Sequence, residues 1–160
     1  MNEQERLSAL EAIRELKARR VYSLDTKDWE TYGALHAEDH VSDTMASGPV
    51  RGGKELAKAL AELLAPITTH HHVHTPIITF QSADEASGIW AMEDMLFWKE
   101  DGKPHWLHGF GHYHERYSRR NGQWLFTYRR LDRSHVVVSP GSRRAAEMAV
   151  DRTGEMKRNF

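Results

Sequence analysis

The sequence reads as an α+β domain in which helices come first and an antiparallel-rich sheet follows, curled so that the helices cover one of its faces. Three observations predict this. Apolar residues recur at helical spacing up to residue 24 and again between 54 and 64. From His70 onward the chain turns to strand-length runs rich in β-branched and aromatic residues. Gly-containing dipeptides, Asp101-Gly102 and Asn121-Gly122, punctuate those runs.

The first element runs from about Glu3 to Leu24, where Leu7, Leu10, Ile13, the stem of Lys17, Val21 and Leu24 form a stripe between charged residues. Asp25-Thr26-Lys27 breaks the pattern. Asp28 then caps a short helix over residues 28–36, through Trp29, Tyr32 and Leu35, because its carboxylate accepts the orphan amide protons of the first turn. A short strand from Val41 to Met45 leads into Ser47-Gly48-Pro49 and Arg51-Gly52-Gly53, whose proline and glycines supply turn chemistry. A third helix spans about Lys54 to Leu64 and stops near Pro66. Strands are expected at about 72–81, 85–99, 104–118 and 123–138, and Asn121-Gly122 is the hairpin signal that makes the last two an antiparallel pair. Residues 1–138 thus form one domain. The tail, 139–160, carries Arg143, Arg144, Arg152, Lys157 and Arg158 with few large apolar groups, and reads as a docked oligomer arm or a frayed end.

A chain of 160 residues can bury one core and leaves little room for a second. Lysine plus arginine number 22 against 23 acidic residues, so no global field favours nucleic acid or an anionic membrane. The lack of cysteine excludes disulfides, thiolate zinc sites and a cysteine nucleophile. No apolar run reaches the length of a signal core or a membrane span, so a soluble cytoplasmic protein with a small-molecule partner is expected. Histidine is the outlier, with 11 copies gathered mostly in two stretches.

Asp25 lies where the first helix ends, facing the negative end of the macrodipole, which is unfavourable by about 0.3–1 kcal/mol unless something compensates. It is either a solvated turn residue or a carboxylate oriented toward a cationic partner. In His70-His71-His72-Val73-His74, alternation sends His71 and Val73 to one face and His70, His72 and His74 to the other. The outer set, with His108, His112 and His114, could bind a metal or simply meet solvent or an interface; with no Glu-x-x-His signature beside them, no metal is expected. Trp90, Met92, Trp98, Trp106, Phe110, Tyr113, Tyr117 and Trp124 supply core, and some must line any ligand cavity. Arg129, Leu131 and Arg133 share one face of the last strand; an inward arginine there needs an anion, a carbonyl or a carboxylate, and an outward one is a surface ion pair.

The long helix ending in Leu24-Asp25, then Lys27-Asp28-Trp29, His71 opening a strand, Gly88-Ile89-Trp90-Ala91-Met92-Glu93-Asp94, Gly111-His112-Tyr113-His114-Glu115-Arg116-Tyr117 and Gly122-Gln123-Trp124 together resemble a SnoaL-like protein of the nuclear-transport-factor-two-like superfamily. The likeness covers roughly residues 3–138. It implies a cone: a strongly curved, largely antiparallel sheet wrapped around three helices, the cystatin-like α+β barrel, with the ligand inside. Within the superfamily the pattern is similar to the hexachlorocyclohexane dehydrochlorinase and scytalone dehydratase branch, where a helix-end aspartate orients a histidine base. Asp25 and His71 match that dyad, and Arg129 matches the arginine of the final strand. Arg20 stands where the dehydrochlorinase has a lysine, keeping the charge but not the geometry.

The resemblance therefore implies a cofactor-independent lyase or isomerase that abstracts a proton from a small, largely apolar, cyclic or polyketide-like molecule. His71 would be the base, Asp25 its orienting partner and Arg129 the group that favours developing negative charge. Arg20, Tyr22, Tyr32, Trp90, Met92, Phe110 and His112 are the candidate substrate-binding residues. The alternatives are a non-catalytic binder, an accessory subunit of a ring-hydroxylating dioxygenase, or a metal-dependent enzyme using the histidine clusters. His72, His74, Trp98, His112, His114 and Tyr128 are the expected ring surface on the outer face, which predicts a homo-oligomer, a trimer ahead of a dimer.

Overall fold

The computed structural model describes residues 1–44 and 48–145. Helix α1 (Glu3–Asp25) opens on Asn2, whose side chain and that of Glu5 satisfy each other's backbone N–H groups in a capping box. Its buried face is Ala9, Ile13, Leu16, Lys17, Arg20, Ser23 and Leu24. This stripe is rotated from the expected one: Leu7 is half exposed, and two cations, Lys17 and Arg20, point inward with their whole side chains.

Helix α2 (Trp29–Ala34) is capped by Asp28 as expected but ends before 36, because His36 already belongs to β1 (His36–Asp43). That strand begins five residues before the expected Val41, drawn in by β7 (Gln123–Val138), beside which it runs parallel with His36 opposite Phe126. Met45, the expected strand end, and Ser47 of the following turn lie outside the described residues. A two-residue strand, β2 (Val50–Arg51), pairs with β1 and precedes α3 (Gly53–Leu64).

The expected strand over 72–81 is two strands, β3 (Thr68–Val73) and β4 (Ile77–Phe80). Pro76, which has no N–H to donate, stands in the break. Both pair antiparallel with β5 (Glu85–Glu100), β4 along its first part and β3 along its later part. β5, β6 (Lys103–Arg120) and β7 form a long meander, giving the sheet order β2-β1-β7-β6-β5-β3. Both meander turns have positive φ at their central residues, Asp101 and Gly102, then Asn121 and Gly122, the mirror-image turn that suits the twist of paired strands.

The sheet is curved and open, an α+β fold with the helices on its inner side. Alternation along β5 buries Trp90, Met92, Asp94, Leu96 and Trp98, and along β6 Leu107, Tyr113, Glu115 and Tyr117. Trp98 is therefore core and does not belong to the outer ring surface expected of it. His70, His72, His74 and His112 are on the outer side, where Ile89, Phe97 and Trp106 are 38–42% exposed. The start of the tail is docked: Ser142 donates to Glu100 at 2.7 Å and Ala145 enters the core. The rest of the expected arm, 146–160, lies outside the described residues. Among the described residues no helix is long and apolar enough to cross a membrane.

Candidate active site

Two groups of charged side chains occupy the inner side of the sheet. The first is built on the end of α1. Thr26 closes the helix and Lys27 follows with φ of 63°, so Asp25, the last helical residue, faces β3. Its Oδ2 accepts the His71 backbone N–H at 2.8 Å; its Oδ1 accepts the Thr69 hydroxyl at 2.9 Å and His71 Nδ1 at 2.7 Å. Lys27 Nζ donates to the same Thr69 hydroxyl at 2.8 Å, bringing a positive charge to the carboxylate through one relay. These donors offset the unfavourable helix end. Burial pushes the Asp25 carboxyl up, and the hydrogen bond and charge of His71 more than reverse this, holding it below the ordinary aspartate range.

A carboxylate only accepts, so His71 Nδ1 carries the proton in the neutral ring and Nε2 presents its lone pair. Nε2 lies 4.0 Å from Asp94 Oδ2, on the cross-strand partner of His71. Asp94 is held by Arg133 through a two-pronged ion pair of 2.8 and 2.5 Å. The pair spans β6, and Gly109 permits it: a Cβ there would stand 1.8 Å from Arg133 Nη1 and 2.5 Å from Asp94 Oδ1.

The second group lies among Tyr32, Tyr113, Tyr117 and Phe126. Glu115 accepts Lys17 Nζ at 2.6 Å and the Tyr117 hydroxyl at 2.6 Å, while Trp90 Nε1 donates to Tyr117 at 2.7 Å. Burial lowers the Lys17 ammonium strongly and Glu115 restores part, leaving it at about 7. Arg20 donates to the Tyr32 hydroxyl and, at 3.2 Å, to His36 Nε2. The Arg129 guanidinium stacks 4.0 Å from the Tyr113 ring. Burial, then Arg20, pushes the His36 and His40 imidazoles down, His40 to about 3, so both are neutral.

The structure thus brings Asp25 and His71 together and sets Arg129 with Arg20 and Tyr32 in the neighbouring group. The cation beside the dyad is Arg133, which alternation had placed on the Arg129 face. The surroundings of the dyad are charged, with Asp94 and Arg133 on the sheet and Lys27 beyond Thr69. Trp90 and Met92 are buried on the inner side, packed with Ile13 and Leu16. Three substrate-binding assignments are corrected. Tyr22 is 72% exposed on the far side of α1, because Arg20 and Ser23 take the inward positions. Phe110 and His112 face outward, since the glycines at 109 and 111 occupy the inward phase of β6. Among the described residues no three His, Asp or Glu side chains converge as a metal site; His72 and His108 instead flank Glu93, at 3.5 and 3.0 Å.

Sequence reasoning missed Thr69, Asp94 and Glu115. The signal was available in phase: Asp94 alternates with Met92 and Leu96, and Glu115 with Tyr113 and Tyr117, so each carboxylate interrupts an otherwise apolar inward row.

The fold has counterparts among solved structures. A hexachlorocyclohexane dehydrochlorinase superposes with a TM-score of 0.79 at 20% identity, over 88% of this chain and 95% of that one. A protein assigned as a scytalone dehydratase from Novosphingobium aromaticivorans gives 0.75 at 23% identity, over 85% and 91%. One assigned as an aromatic ring hydroxylase from the same organism gives 0.73 at 21%, over 87% and 96%. At such identities the likeness is one of fold. The family model is the more direct finding: it matches residues 5–130, from the first turns of α1 to the middle of β7, and so takes in Asp25, His71, Asp94 and the second charged group, with Arg133 just past its end. The chain belongs to the family of SnoaL-like domains.

Proposed function

We propose that this protein is a cofactor-independent lyase or isomerase in which His71 removes a proton from a carbon of a small cyclic or polyketide-like substrate. The observation that carries the reading is the three-bond clasp of Asp25 on Thr69 and His71, which fixes the imidazole tautomer with Nε2 free to take a proton. Asp25 would stabilise the imidazolium that forms. The positive field of Arg129 and Arg20 would favour the enolate or the departing anion, and Arg133 neutralises Asp94 so that this carboxylate does not oppose the developing charge. The imidazolium then returns the proton to a leaving hydroxyl or to a neighbouring carbon, giving elimination or isomerisation. Side chains suffice for each of these steps. The dehydrochlorinase and dehydratase names of the structural neighbours support this class of chemistry.

Deuterium wash-in tests it. Cyclohexanone, 4-chromanone and 3-hydroxycyclohexanone are incubated with the protein in D2O and followed by NMR. The wild type is expected to exchange α-protons of at least one compound, or to dehydrate the hydroxyketone, and His71→Gln to do neither. Equal exchange in both proteins, or none in the wild type, would leave the small-molecule binder or oxygenase accessory subunit as the better reading.

We also propose a homo-oligomer, trimer ahead of dimer, assembled through the outer sheet face. The cross-strand pair Phe97 and Trp106, and Ile89 further along β5, leave apolar side chains 38–42% exposed on that face. A groove of about 780 Å³ on the same side is lined by Ile77, Thr79, Ile89, Arg116 and Tyr128 among others. Light scattering is expected to give a multiple of 18.5 kDa; the monomer mass would end the proposal.

A further inference from the structure

Among the described residues the charged side chains that are buried are Lys17, Arg20, Arg129, Asp94 and Glu115. Asp94 is committed to Arg133, so the three inner cations share Glu115. Lys17 is bonded to it directly. Arg20 has only neutral partners, the Tyr32 hydroxyl and His36 Nε2. Arg129 Nε is buried without a hydrogen-bond partner; it stands 3.4 Å from Glu115 Oε1, an ion-pair distance without hydrogen-bond alignment. Guanidinium groups do not lose their protons in proteins, so this interior holds a positive excess that titration cannot relieve. A buried charge without an ionic partner is strongly unfavourable, and an anion arriving there removes the penalty.

The rings around the excess say what kind of anion fits. The Tyr113 ring has Lys17 Nζ at 4.1 Å and Arg129 at 4.0 Å; the Phe126 ring has Lys17 Nζ at 6.0 Å and Arg20 at 5.5 Å. Guanidinium donors set beside aromatic rings match a planar, delocalised monoanion.

We propose that Arg129 and Arg20 form the receptor for a carboxylate carried by the substrate, which is therefore a small cyclic or aromatic carboxylic acid. This deepens the proton-abstraction reading and rests on the same interior being the substrate site.

Benzoate is the probe and benzamide its uncharged match, with binding followed by calorimetry at constant ionic strength near pH 8. The wild type is expected to bind benzoate at least about tenfold more tightly than benzamide, and Arg129→Met to weaken benzoate by roughly ten- to a hundredfold, with Arg129→Lys intermediate. His71→Gln should bind benzoate as the wild type does. Equal binding of the two probes by the wild type, no benzoate binding up to about 10 mM, or undiminished binding by Arg129→Met would overturn the proposal. The two-probe comparison needs no variant, so it stands even where Arg129→Met fails to fold. Benzoate selectivity without any deuterium wash-in would keep the carboxylate site and remove the base, so the two readings fail separately.

Discussion

Replacing Glu115 by glutamine is expected to cost about 3–5 kcal/mol of stability at neutral pH, measured by urea unfolding. The side chain keeps its volume, but Lys17, Arg20 and Arg129 then face one another with no anion, and the amide nitrogen opposes either the Lys17 ammonium or the Tyr117 hydroxyl. The loss should shrink as pH rises. Lys17 titrates at about 7 in the folded protein, against 10.5 for the ordinary side chain. Between those values the unfolded chain binds the proton and the folded one does not, so stability from this group rises with pH across that window and is flat below it. Removing Glu115 removes a partner that favours the charged form, which moves the lower edge of the window down. Glu115→Gln should therefore gain more than the wild type on going from pH 6 to pH 7, and a Lys17→Met partner substitution should abolish the difference. An equal loss at both pH values would mean that the cations are solvated after all.

Much of this arrangement was legible in the chain and part was not, for reasons that lie in particular residues. Asn121-Gly122 announced its hairpin because the positive φ values the turn demands are tolerated by few residues. Asp28 announced α2 because an N-cap is a local bond, here to the Thr31 N–H. The early start of β1 was hidden: its ladder is supplied by β7, about ninety residues away, and its segment His36–Asp43 carries no apolar alternation of its own. The site divides along the same line. Asp25 stood out as a carboxylate at a helix end and His71 as part of a histidine run, but only the family resemblance joined them as a dyad, and β3 in fact begins three residues before His71, at Thr68. Asp94, Glu115 and the inward course of Lys17 escaped because charged residues in a periodic pattern are read as solvent face, and only long-range pairing, to Arg133 and between Lys17 and Glu115, makes their burial tolerable.

Asp25→Asn is expected to slow turnover of a wash-in substrate by about 10²–10⁴-fold with little change in KM. The aspartate supplies two acceptor oxygens to three donors, and asparagine has one oxygen for them. If that oxygen keeps the His71 backbone N–H, the amide nitrogen faces the ring and the Thr69 hydroxyl. Nδ1 must then accept, the ring proton moves to Nε2, and the lone pair that should take the substrate proton is gone. If the amide turns the other way, Nδ1–H is kept but the backbone N–H of His71 meets a donor, and β3 shifts away from α1. Both outcomes spare the carboxylate receptor around Arg129, so benzoate binding should persist while exchange is lost. Acid reproduces part of the effect in the wild type. The Asp25 carboxyl stands below its unfolded value, so its contribution is present above the ordinary aspartate range and is lost as pH falls through the folded value. Nitrogen-15 NMR of the His71 ring separates the cases: the wild type should show protonated Nδ1 and bare Nε2, and Asp25→Asn the reverse tautomer. A variant that retains the wild-type tautomer and wild-type turnover would show that Asp25 merely ties α1 to the sheet.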